Sequence, residues 1–231
     1  MTSPRLWGTT QPVRPAQLVQ IAFIVLASFF VYAFVATAKD SENRRACNAL
    51  CSMRPNYAAQ DRRAPDFELP TMSGGTWRLS DHRGEVIVLN FWTKTCAPCL
   101  EEMPSLAKLG HSLGERQGVR LVTITTDESA EDARKTLESL FGGAPPFEVL
   151  IDPEASVVTD RFGTKLFPET WFIDPHGVIR ARVDGARDWS NPLVVSFVQS
   201  LRGSPQCDIE FSRGQARGEL AGLCEDVVPS F

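Results

Sequence analysis

One short segment restricts the fold more than any other. Glu85 to Trp92 (EVIVLNFW) is β-branched and almost continuously apolar, and within four residues it leads into Cys96-Ala97-Pro98-Cys99 and a helical pattern. A strand apolar on both sides of its pleat needs cover on both faces, as in a parallel sheet between helices. The helix reads from Cys99 to Leu113, with Met103, Leu106, Leu109 and Leu113 at spacings of three and four. Val119 to Asp127 (VRLVTITTD) supplies a second buried strand, completing a βαβ unit whose crossover is expected to be right-handed.

The α/β alternation continues. Ser129, with Asp132 completing a capping box, opens a helix along Ala133, Leu137, Leu140 and Phe141 that stops at Gly142-Gly143. A strand is expected at Phe147 to Asp152, then a short helix started by Asp152-Pro153 and ending near Phe162. Thr170 to Asp174 and Val178 to Val183 flank Pro175-His176-Gly177, which has the turn chemistry of a hairpin, and Leu193 to Leu201 reads as a closing helix. Asp66 to Leu79 reads as a leading segment, and residues 203–231 show no strong period.

Ahead of this lies a different kind of sequence. No charge occurs between Arg14 and Lys39, and residues 18–38 are apolar apart from Gln20, Ser28, Tyr32 and Thr37, long enough to cross a hydrocarbon core of roughly 30 Å as a helix. Residues 1–17 are then a short cytoplasmic terminus, 18–38 a transmembrane anchor, and 39–63 a linker carrying Cys47 and Cys51. A cleaved signal peptide ending at Ala36-Thr37-Ala38 is the alternative, although secretory apolar regions usually span about 7 to 15 residues. Arg5 and Arg14 precede the run while Lys39, Arg44, Arg45 and Arg54 follow it, a bias that a long translocated domain overrides.

Composition narrows the partners. Of 24 basic and 28 acidic residues only Arg5 and Arg14 fall within 1–38, so the remainder carries a charge of about −6 and offers no basic field for nucleic acid. Six cysteines, four of them outside the C-x-x-C, suit an oxidising compartment, which places the domain on the extracytoplasmic, periplasmic side of the cytoplasmic membrane.

The C-x-x-C carries the chemistry. At a helix N-terminus the unpaired N–H groups and the macrodipole stabilise an anion, so Cys96 is the natural attacking thiolate. Cys99, one turn in, is the natural resolving thiol, and Pro98 costs no intrahelical bond near the helix start. Half a zinc site is the bland alternative, but His82, His111 and His176 each stand alone and read as surface residues.

These residues resemble the membrane-anchored, thioredoxin-like thiol-disulfide oxidoreductases of the TlpA/ResA type. The resemblance rests on Ala64-Pro65-Asp66-Phe67, Leu89-Asn90-Phe91-Trp92, Cys96-Ala97-Pro98-Cys99, Glu102-Met103-Pro104 and Phe167-Pro168-Glu169-Thr170, and covers residues 64–202. It implies a thioredoxin fold, a central mixed sheet flanked by helices, with 203–231 as a tail carrying Cys207 and Cys224. It further implies a cis Pro168 beside a redox-active Cys96/Cys99 pair, with Trp92, Pro98 and Glu102 in support, Glu102 tuning ionisation of the dithiol. Thr95 departs from the tryptophan usual before the first cysteine, and Asn90 stands where thioredoxin has a buried acid.

Cys47, Cys51, Cys207 and Cys224 allow three pairings, or a soft-metal site built on Cys47-x3-Cys51. The expected activity is thiol-disulfide exchange without a cofactor. The resemblance implies protein disulfides of cytochrome c or copper-site assembly as substrates and a membrane thiol carrier as electron donor. The alternatives are a copper or metal chaperone using the outlying cysteines and a thiol peroxidase, since Thr93-Lys94-Thr95-Cys96 fits the T-x-x-C of a peroxiredoxin while Leu89 replaces its proline.

Overall fold

A computed structural model describes residues 14–52, 63–114, 117–204, 206–207, 209–212 and 215–224. Two compact units divide the chain, residues 1–45 and 46–231. In the first, the uncharged run is entirely helical, and residues 15–45 form one helix apolar and long enough to cross a membrane. This helix, α1 (Pro15–Ser52), continues past Ala38. The linker expected from residue 39 therefore begins as helix, because Lys39 to Ser52 contains no Pro or Gly to stop it.

The second unit is built on a five-stranded sheet of order β5-β4-β3-β6-β7. Its strands are β3 (Val86–Trp92), β4 (Val119–Thr125), β5 (Glu148–Ile151), β6 (Glu169–Ile173) and β7 (Ile179–Asp184). β3, β4 and β5 run parallel, while β6 and β7 are antiparallel to their neighbours. A small hairpin, β1 (Glu68–Pro70) with β2 (Thr76–Arg78), precedes the sheet.

Every residue of β3 is buried, as its composition requires. Ile87, Leu89 and Phe91 enter one core layer with Phe67, Trp77, Phe162 and Trp171. Val86, Val88 and Trp92 enter the other, against Met103, Leu106 and Leu113 of α2 (Ala97–Gly114). The helices α3 (Ala130–Phe141) and α4 (Pro192–Ser200) complete the frame. Ser129 caps α3 by accepting the Asp132 N–H, and Gly142 ends it in the left-handed region at φ 67°.

Three expectations fail locally. Leu140 is exposed and Phe141 only half-buried, so the buried stripe of α3 is Ala133 and Leu137. The helix expected from Pro153 begins only at Ser156: Ala155 is left-handed, and the buried Asp152 carboxylate accepts the N–H groups of Ser156, Val157 and Val158. Of the histidines read as surface residues His111 is exposed, but His82 and His176 are half-buried, His82 with its ring stacked on Trp77.

The tail has structure that its sequence did not announce. β8 (Glu210–Ser212) and β9 (Gln215–Arg217) pair antiparallel, followed by one turn at Ala221–Cys224. Cys47 is disulfide-bonded to Cys207, and both pack with Val178, Ile209 and Cys224 in a third apolar cluster. This bridge removes Cys47 from the i, i+4 thiolate pair on which the metal alternative depended. Cys224 is also disulfide-bonded, whereas the Cys51 side chain lies outside the described residues.

Candidate active site

The loop from β3 and the first turn of α2 present the two motif cysteines at the carboxyl ends of the parallel strands. Cys96 stands immediately before α2, and its carbonyl accepts the Leu100 N–H at 3.2 Å, which makes it the helix cap. Its sulfur takes the part of a capping oxygen, accepting the Cys99 N–H at 3.2 Å. Cys96 is half-buried and Cys99 wholly buried, with their sulfurs joined as a disulfide and Cα atoms 5.3 Å apart. Pro98 is exposed in the first turn, where its missing N–H costs nothing.

Behind the dithiol, the Trp92 indole N–H donates to Thr123 Oγ1 at 3.2 Å, fixing the strand end. Pro168 is buried, and the Phe167–Pro168 bond is cis, as the resemblance implies. Phe91 pairs with Glu169, so the antiparallel register brings Pro168 to the sheet end from which the cysteine loop departs. Glu169 lies in the opposite core layer, accepting from Thr164 and Arg182, with burial raising its pKa first of all and Asp184 adding to the rise.

Glu102 is one turn beyond Cys99 and only 3% exposed. It is not the solvated acid that a glutamate on a helix ordinarily is. Oε1 accepts the Asn90 amide at 2.9 Å, while Oε2 accepts the Arg187 N–H at 3.0 Å and the Trp189 indole N–H at 2.8 Å. Asn90 also donates to Thr170 Oγ1 at 2.9 Å, and its own Oδ1 finds no partner among the described residues. Burial raises the Glu102 pKa above its ordinary 4.5, and the three hydrogen bonds oppose that rise only in part.

A carboxyl whose pKa is higher folded than unfolded stabilises the fold fully below the unfolded value and loses that contribution as pH climbs through the folded one. Wild type should thus lose stability relative to Glu102→Gln as pH rises above 4.5. Glu169 is common to both proteins, so it cancels. Urea unfolding of the pair at several pH values would check this, and a pH-independent difference would refute it.

Sequence reading overlooked three residues of the site, two around Glu102 and one behind the cysteine loop. Arg187 and Trp189 lie 85 and 87 residues from Glu102 with no local pattern to mark them. Asp127, just beyond β4, accepts the Thr93 hydroxyl at 2.7 Å and the Lys94 N–H at 2.9 Å. An acid closing an apolar strand was the available signal. The T-x-x-C threonine of the peroxidase alternative thus gives its one proton to a carboxylate.

A mixed five-stranded sheet with an N-capping, half-exposed cysteine and a cis proline at one end of its central strands is the frame of a thioredoxin-like oxidoreductase. Residues 61–182, just over half the chain, match the model of the AhpC/TSA family, and the chain belongs to that family. It is 34% identical to the thiol-disulfide oxidoreductase ResA of Geobacillus thermodenitrificans over 53% of this chain and 67% of that one. It is 31% identical to the thioredoxin-like protein YneN of Bacillus subtilis over 52% of this chain and 69% of that one. The crystal structure of a Chlorobium tepidum protein described as the thiol:disulfide interchange protein DsbE superposes with a TM-score of 0.54 at 27% identity, covering 62% of this chain and 98% of that one. The protein is a thiol-disulfide oxidoreductase of the ResA/DsbE type, acting on protein substrates.

Proposed function

We propose that Cys96 and Cys99 are the exchanging pair and that the protein is a reductase of extracytoplasmic protein disulfides. In the dithiol form the Cys96 thiolate attacks one sulfur of a substrate disulfide, and the other substrate sulfur leaves as a thiolate and takes a proton. Cys99, once deprotonated, attacks Cys96 Sγ of the mixed disulfide. The substrate leaves as a dithiol, and the two electrons it gained leave Cys96–Cys99 oxidised. The observation that carries this reading is the N–H of Cys99 aimed at Cys96 Sγ, 3.2 Å away, at a helix start. That donor and the helix macrodipole favour a thiolate on the more accessible sulfur.

Glu102, buried on the helix face that carries Cys99, serves in this reading to couple ionisation of the dithiol to its own proton. Pro168, lacking an N–H, leaves the backbone of Phe167 free to align a substrate segment. The apolar helix anchors the domain to the cytoplasmic membrane with its catalytic face outside. A membrane thiol carrier returns electrons to Cys96–Cys99, and the substrates are protein disulfides of cytochrome c or copper-site assembly, released as thiols.

Replacing Cys99 by alanine tests the order of the two thiols. Attack by Cys96 should proceed while resolution stops, so covalent partner complexes should accumulate on non-reducing gels and name the substrate. Trapping by Cys96→Ala instead would reverse the roles. A Cys96/Cys99 potential near about −270 mV agrees with a reductase, whereas one near about −120 mV marks an oxidant.

A further inference from the structure

The loop carrying Cys96 leaves β3 with backbone groups that no strand satisfies, and one buried side chain takes them up. We propose that Asp127 is the positioning residue of the dithiol, holding Thr93 and Lys94 so that Cys96 stays fixed as the cap of α2. This rests on the reading of Cys96 and Cys99 as the exchanging pair, and identifies what sets its geometry.

Asp127 is 3% exposed and lies on β4's side of the site, away from Glu102 and its partners. Its Oδ1 accepts both the Thr93 hydroxyl at 2.7 Å and the Lys94 N–H at 2.9 Å, and its Oδ2 meets the same N–H at 3.2 Å. From Thr93 the chain of bonds runs on to the sulfur. The Thr93 carbonyl accepts the Cys96 N–H at 3.1 Å, and Cys96 Sγ accepts the Cys99 N–H at 3.2 Å.

Asp127 is itself held. Its N–H donates to Thr125 Oγ1 at 3.1 Å, and the Thr126 N–H beside it donates to the Trp92 carbonyl at 3.3 Å. The Lys94 ammonium is 3.3 Å from Asp132, in the first turn of α3, so residue 94 is fastened through both backbone and side chain. A loop tied in this way keeps the attacking sulfur at one angle to an incoming disulfide, and misplacement by about 1 Å can cost a hundredfold in rate.

Charge and position pull the thiol in opposite directions, which makes the proposal testable. Deleting a nearby negative charge would by itself favour the Cys96 thiolate, whereas loosening the cap removes the hydrogen bond that stabilises it. Asparagine keeps Oδ1 for Thr93 and Lys94 but not the charge; alanine keeps neither.

In the reduced full-length protein, Asp127→Ala should slow attack on a model disulfide about tenfold and move the pH midpoint of Cys96 alkylation upward by about half a unit. Asp127→Asn should return the rate to within about threefold of wild type without that upward movement. An Asn variant indistinguishable from Ala, or an Ala variant with an unchanged or lowered midpoint, would overturn the proposal. Thr93→Val removes only the hydroxyl and covers the case in which the alanine variant does not fold. It should slow attack about threefold, and a wild-type rate and midpoint would count against the proposal equally. Alkylation reads the Cys96 thiol whether or not exchange follows, so failure of the exchange reading itself would show separately, as full activity in Cys96→Ser.

Discussion

Serine at position 96 should reduce disulfide exchange by about a thousandfold or more, to the background of the assay, while the protein folds as before. The substitution changes one atom on a half-buried side chain, and the hydroxyl can still accept the Cys99 N–H that now reaches Sγ at 3.2 Å. What it lacks is an ionised nucleophile near neutral pH and the capacity to form a mixed disulfide. Reduction of a dye-labelled disulfide peptide would measure the loss. A variant retaining more than a few per cent of wild-type activity would place the chemistry elsewhere in the chain.

Glu102→Ala should cost about 3 to 5 kcal/mol of stability. The carboxylate takes three donors from two distant parts of the chain: Asn90 in β3, and the Arg187 backbone and Trp189 indole in the segment before α4. Truncation strands all three where almost no solvent reaches, and a buried donor without a partner costs about 1 to 3 kcal/mol. Glutamine retains an oxygen for Arg187 and Trp189, and Asn90 can turn its amide to offer Oδ1, which has no partner now, to the new NH2. Glu102→Gln should therefore be much the milder change at neutral pH. Urea unfolding compares the two, and a loss below about 1 kcal/mol in the alanine variant would mean that water replaces the carboxylate without penalty.

Much of this was legible because it is local. The buried strand, the C-x-x-C cap, the Ser129 cap of α3 and the Pro175-His176-Gly177 turn are each decided by neighbours within a few residues, and each forms where its side chains require, although Asp132 answers the Ser129 hydroxyl and not its N–H. The environment of Glu102 was not local. Its spacing of three from Cys99 and four from Leu106 put it on the buried stripe of α2, yet nothing nearby announced the donors that allow a carboxyl to stay there. The helix start after Asp152 failed for a related reason. The same aspartate that signals a cap reached past Pro153 to Ser156, Val157 and Val158, a choice that the left-handed Ala155 makes possible. Pairing of Cys47 with Cys207 spans 160 residues and could not be chosen by spacing.

That bridge changes the length of the leash. By sequence alone, the domain beginning at Ala64 would hang from Ala38 by 26 residues, a reach of up to about 90 Å when extended. With Cys47 bonded to Cys207 inside the unit formed by residues 46–231, the free span shrinks to the nine residues from Ala38 to Cys47. Nine residues reach about 30 Å extended and about 14 Å as the helix they form. For a flexible leash, the local concentration of a disulfide held beside residue 38 falls roughly as the −3/2 power of leash length, so shortening 26 residues to nine raises it about fivefold.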